Sequence, residues 1–181
     1  MIKIAQDEKD TRKIANNIVR ESLREGLLQL IERKQYDDIS VSELTQRAGV
    51  SRVSFYRNYD SKDEILLEYL VLTANEAWDN AIKNTSREKW RAAFKVFEAL
   101  RPVVGKLKLA GKDTLFYEMF KIITNKDKTV RIEEDCQRAV LIGIFTGIFD
   151  WWRENGMKEN AEELTNRFAE IELANLVAKI R

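Results

Sequence analysis

Proline occurs once in this 181-residue chain, at Pro102, and glycine only seven times. Each of them costs a helix interior dearly, proline by a missing donor and a clash, glycine by its backbone freedom. A chain nearly free of both is suited to long uninterrupted helices. The apolar pattern agrees. Across residues 11–34, Ile14, Ile18, Leu23, Leu27, Leu30 and Ile31 recur at helical spacing with charges between them, and no convincing strand pattern appears elsewhere. The expected class is all-α, as one compact body or a small head on a larger one.

Composition removes several function classes. Histidine is absent, which excludes imidazole metal sites, Ser–His triads and imidazole pH switches. The lone Cys136 permits no internal disulfide and suits a reducing cytoplasm. It follows Glu133, Glu134 and Asp135, surroundings that disfavour a nucleophilic thiolate. No P-loop, GxGxxG, GxSxG or CxxC pattern is present, so neither an enzyme nor a bound cofactor or metal is expected. The longest uncharged apolar run, residues 139–149, has 11 residues, against about 20 for a bilayer span. The first eight residues turn acidic too early for an export signal. The expected location is the cytoplasm, with no membrane partner.

Caps and breakers divide the chain. Ser40 and Glu43 have capping-box spacing, with Ile39 and Leu44 as a hydrophobic staple. A short helix is predicted from Val41 to Ala48, closed by a left-handed Gly49. Ser51 caps a second, Arg52 to Tyr59, and a longer helix follows over residues 62–83. Thr85 and Glu88 form another capping pair. A helix over residues 90–100 is predicted to stop at Arg101-Pro102, because the residue before proline is pushed out of helical geometry. Further helices are expected from a cap at Asp113 to Asn125, over residues 130–155, and from Asn160 to the terminus, with a loop at residues 126–128. Gly26 reads as a local weakness in the first helix, about 1 kcal/mol worse than alanine.

Two short helices about a glycine turn have the spacing of a helix-turn-helix, whose second helix enters the major groove. Leu44, Ala48, Val50, Phe55 and Tyr59 can pack inward, with Ala48 small where helices cross. Net charge is only +1, yet between Leu44 and Tyr59 stand three arginines (Arg47, Arg52, Arg57) and no acid. Such local positive charge suits a phosphate backbone.

Residues 39–67 carry Ala48-Gly49-Val50-Ser51, then Phe55-Tyr56-Arg57-Asn58-Tyr59, then Ser61-Lys62-Asp63-Glu64-Ile65-Leu66. This stretch resembles the N-terminal domain of TetR-family transcriptional regulators, a likeness covering about residues 19–70. The resemblance implies a three-helix head, a larger helical ligand-binding and dimerisation body, and a homodimer through the last two helices. It also implies double-stranded DNA as partner, with an inverted-repeat operator and a small effector that releases a repressor. The corresponding domains are 1–60 for DNA binding, 61–84 as a connecting helix, and 85–181 for regulation and assembly. By position, Ser40 and Tyr56 would meet phosphates, Lys62 would add another, and Arg52, Val53 and Ser54 would face base edges. Arg57 would grip either phosphate or base, and Ser51 and Asn58 complete the DNA-contacting set. Asn58 stands where the family usually has histidine, and Tyr59 where it usually has phenylalanine. From the residues alone, Ser40 is equally a cap and Tyr56 alternatively a core tyrosine.

The remainder says less. Lys3, Lys9, Arg12, Lys13 and Arg20 interleave with acids at the start, and read as a frayed end in preference to a minor-groove arm. Phe94, Phe97, Phe116, Phe120, Phe145 and Phe149 either form core or line an effector cavity. Gly143 and Gly147, four apart, permit close helix packing within or between subunits. The run ending Trp151-Trp152-Arg153-Glu154-Asn155-Gly156-Met157 resembles the dihydroxyacetone-kinase-regulator-like branch of the family. That branch makes an adaptor controlled by a protein partner the alternative to a metabolite sensor. A helical scaffold without DNA binding is the third reading.

Overall fold

The computed structural model describes residues 2–109, 112, 114–124 and 132–171. All regular structure among them is helical: α1 (Ile2–Ile31), α2 (Val41–Ala48), α3 (Arg52–Asn58), α4 (Lys62–Asp79), α5 (Ser86–Leu109), α6 (Thr114–Thr124), α7 (Ile132–Glu154) and α8 (Ala161–Phe168), with one 3-10 turn at Tyr36–Asp38. The chain divides into two compact units. The first is Met1–Tyr69 with Lys106–Leu115, and the second is Leu70–Gly105 with Phe116–Arg181.

In the first unit, the apolar stripe of α1 (Leu23, Leu27, Leu30, Ile31) is buried with Ile39, Leu44, Phe55, Ile65 and Leu66. At the α1–α2 crossing, a Cβ on Gly26 would lie 3.3 Å from both the Cβ and the backbone nitrogen of Ala48. Gly26 is therefore a contact point where the absence of a side chain lets two helices approach. Ala48 is small as anticipated, and the helix it meets is α1. The first helix starts at Ile2, earlier than its periodicity suggested, and its backbone stays helical through the basic N-terminal stretch.

In the second unit, α5 passes straight through Pro102. This overturns the expected stop at Arg101. An interior proline costs about 3 kcal/mol, but Leu100, Val103 and Val104 around it are buried, each contributing about 1.5–3 kcal/mol. Pro102 itself faces outward, so its ring disturbs no packing.

Helix ends follow their signals. Thr85 and Glu88 cap α5 reciprocally, at 3.2 and 2.9 Å, and Asn160 and Glu163 cap α8 at 2.9 and 2.8 Å. Gly156 (φ 82°) and Met157 (φ 54°) close α7 through bonds to the carbonyls of Arg153 and Trp152. Two helices are shorter than expected: α4 ends at Asp79 and α8 at Phe168. The expected cap at Asp113, the loop at 126–128 and the chain beyond residue 171 lie outside the described residues.

Candidate nucleic-acid interface

The α2–α3 pair is assembled from its ends inward. Ser40 Oγ accepts from the Glu43 backbone N–H at 3.1 Å, while Ile39 and Leu44 are both buried as the staple requires. The reciprocal half of the box is absent. Lys34 draws the Glu43 carboxylate away at 2.8 Å, because a nearby ammonium outbids a backbone amide for it. Gly49 sits at φ 66°. Its N–H and that of Val50 return to the carbonyls of Gln46 and Thr45 at 3.2 and 3.0 Å. Ser51 Oγ then caps α3 by accepting from the Ser54 N–H at 3.0 Å.

Phe55 is fully buried and pins α3 by its middle. With that face fixed, the residues around it turn outward: Val53 is 67% exposed and Tyr56 54%, and Arg52 and Arg57 are exposed as well. The Tyr56 ring stands edge-on to Phe55 at 5.0 Å, so its hydroxyl projects from a fixed base. Ser40 and Ser51 are also exposed. These six side chains are all accessible, and Ser54 beside them is half-buried, its hydroxyl 2.9 Å from that of Ser51.

Two members of the expected set are otherwise engaged. Asn58 donates through Nδ2 to the Ser54 carbonyl at 2.8 Å. Lys62 points inward, donating to the carbonyls of Tyr36 and Ile39 at 2.9 and 2.5 Å with its ammonium 4.5 Å from the Tyr36 ring centre. Burial lowers its pKa against the pull of Asp37 and Asp63. Arg47, on α2, donates to Gln29 Oε1 of α1 at 2.6 Å.

Two carboxylates organise the unit: Asp63, which the sequence motif contains without assigning it a role, and Glu68, which lies outside any motif. Asp63 accepts from the Tyr36 hydroxyl at 2.5 Å and from Lys112 at 2.9 Å. Glu68 accepts from the Tyr59 hydroxyl and from Arg20, and forms an ion pair with Arg24. Burial opposes the ionisation of each, yet the donors outweigh it and hold both carboxyls below the usual range. Burial, with the carboxylate partner, pushes both tyrosine hydroxyls up. The available signal was the placement of Arg20 and Arg24 four apart on one face of α1, which calls for an acid opposite.

In the second unit the six phenylalanines named from sequence come together. Phe149 lies 4.8 Å from Phe97 and 4.8 Å from Phe116 between ring centres, and 6.0 Å from Phe120. Phe94 is 5.5 Å from Phe97. All five are buried, while Phe145 is half-buried and 5.2 Å from Trp90. These rings fill one another's space. No helix among the described residues is long and apolar enough to cross a membrane.

A capped two-helix unit with an outward basic and hydroxyl face, pinned by a buried aromatic, defines a helix-turn-helix domain. Residues 23–69 match the family described as bacterial regulatory proteins, tetR family. Over those residues the head of this chain is similar to that family. Over 66 residues, 35% of this chain and 30% of the relative, it is 36% identical to the HTH-type transcriptional regulator EthR of Mycolicibacterium smegmatis. With EthR of Mycobacterium tuberculosis it shares 38% identity over 76 residues, 38% of this chain and 35% of the relative. The chain thus spans about a third of the length of these curated relatives. A tetR-family transcriptional regulator from Streptomyces coelicolor has a similar fold, with TM-score 0.50 and 16% identity over 81% of this chain and 77% of that one.

Proposed function

We propose that this chain is a sequence-specific DNA-binding regulator that acts as a homodimer, a repressor released by a small effector. The observation that carries the reading is the outward set Arg52, Val53, Tyr56 and Arg57 on a helix held by buried Phe55. An arginine there can pair with guanine and a valine can touch a thymine methyl, while Ser40 and the Tyr56 hydroxyl suit phosphates. Asn58 and Lys62 are secondary candidates, since one Asn58 amide N–H and two of the three Lys62 donors already serve the protein. DNA binding is assigned to the first unit, and regulation and assembly to the second. With DNA as ligand, the cytoplasm is the place of action.

The test is a mobility shift on duplexes that the protein selects from a random library. Arg52→Ala should weaken binding by about 10- to 100-fold, the equivalent of 1–3 kcal/mol for a base-reading pair, and Tyr56→Phe by a few-fold for one lost phosphate bond. Unchanged affinity in both removes the assignment.

Assembly through the last helices finds support on α7. Gly143 and Gly147 are exposed, a Cβ at either would meet nothing within 4 Å, and Val140 and Leu141 beside them are 52% and 46% exposed. A dimer would hold its two α3 helices about 34–36 Å apart, or a multiple, over an inverted repeat. Replacing both glycines by leucine should leave the folded chain intact and raise helix stability by roughly 1 kcal/mol per site. The added bulk should drive the assembly to monomer in sedimentation. A double variant that remains dimeric places the interface elsewhere.

The aromatic packing favours a second reading, an adaptor whose second unit answers to a protein partner. Rings 4.8 Å apart leave no room between them for a metabolite.

A further inference from the structure

The Glu68 carboxylate joins three helices of the head. Its Oε1 accepts from Arg20 Nη2 at 2.9 Å and Nε at 3.2 Å, and lies 3.3 Å from Arg24 Nη1. Its Oε2 accepts from the Tyr59 hydroxyl. Arg20 and Arg24 belong to α1, Glu68 to α4, and Tyr59 is the residue that ends α3. The Arg20 guanidinium also lies over the Tyr59 ring, 4.6 Å from its centre. All of it is largely enclosed, with side-chain exposures of 36% for Arg20, 21% for Arg24 and 22% for Glu68.

The position of this junction matters because α3 has only seven residues. A helix that short has no stability or direction of its own. Its bearing is set by where its start, middle and end are fastened. Ser51 caps the start, Phe55 anchors the middle, and the end is fastened where buried Tyr59 reaches Glu68. Tyr56 and Arg57 lie within three residues of that fastening. The same carboxylate also pairs with two arginines and offsets one of their two charges, which limits the positive charge of the head.

We propose that Glu68 is a positioning residue that sets the ratio of specific to non-specific DNA binding, by fixing the bearing of α3 and by holding Arg20 and Arg24. This rests on the DNA-binding reading above. Base contacts tolerate little angular error, whereas attraction to phosphates needs only charge. Loosening α3 while freeing two guanidiniums therefore weakens the first and spares or strengthens the second.

The experiment measures, on one preparation, affinity for a duplex selected by the wild-type chain and for a scrambled duplex of the same composition. A variant that merely unfolds in part lowers both affinities by the same active fraction, so their ratio does not move. Glu68→Gln should lower the ratio by about tenfold, with scrambled-duplex binding undiminished and its salt dependence at least as steep. Tyr59→Phe, which keeps the ring beneath Arg20 and loses only the hydroxyl, should lower it in the same direction by less. A Glu68→Gln ratio within about threefold of wild type overturns the proposal. A wild-type chain that selects no sequence overturns the DNA-binding reading instead.

Discussion

Phe55→Ala is expected to cost the head about 3–5 kcal/mol, the range for emptying a buried aromatic site. Phe55 is fully buried and carries the Tyr56 ring at 5.0 Å and the Tyr59 ring at 6.4 Å. Its loss leaves a cavity bounded by short helices that cannot close it without moving. Because α3 has no independent stability, the whole α2–α3 region should lose amide protection against hydrogen exchange. Affinity for any duplex should fall with it. Protection in α5 and α7 should be kept. A variant whose α3 amides exchange at the wild-type rate contradicts this account of how the helix is held.

The second large effect lies at Trp152. Trp152 is fully buried, its ring 5.8 Å from Phe97 and 6.0 Å from Phe149, with the Arg101 guanidinium 5.2 Å from its centre. Its Nε1 donates to the Glu159 carbonyl at 3.0 Å, which Arg101 also meets at 2.8 Å. Trp152→Ala should cost about 3–5 kcal/mol. Trp152→Phe separates the two contributions. It keeps most of the packing, and the carbonyl keeps Arg101, so the loss should be nearer 1–2 kcal/mol. Urea unfolding followed by fluorescence checks this, since all four tryptophans (Trp78, Trp90, Trp151, Trp152) belong to the second unit. Equal losses in the two variants would show that the hydrogen bond, not the ring, dominates.

Local signals in the sequence were reliable where a single residue type answers a single backbone need. Gly49, Ser51 and Asn160 each did so, and the positive φ at Gly49 and the caps at Ser51 and Asn160 are present. Signals failed where tertiary packing outweighed local preference. Pro102 did not end α5, because the apolar residues around it are buried whatever its missing donor costs. Gly26 read as a weakness and is a crossing point, which only the partner Ala48 reveals. Glu43 satisfied the spacing of a capping box, yet Lys34, nine residues upstream, held its carboxylate.

The proposed DNA-contacting set shows the same division. Exposure at Val53 and Tyr56 follows from helical periodicity once Phe55 is placed inside, so their outward direction was legible. The inward turn of Lys62 was not, since it depends on carbonyls from the 3-10 turn more than twenty residues earlier. Glu68 escaped notice for a related reason. Its partners come from α1 and the end of α3, and no short motif records a meeting of three separated segments.

Lys112 gives the head a debt to a distant part of the chain. It reaches Asp63 beneath the Tyr36 ring, and the segment that bears it, between α5 and α6, counts among the first unit. The head is therefore not one continuous stretch of sequence. A chimera that grafts residues 1–84 onto a foreign body leaves this ammonium behind. Asp63 then keeps its tyrosine and the nearby Lys62 but loses the Lys112 ion pair, so the segment bearing Lys112 must be carried over with the head.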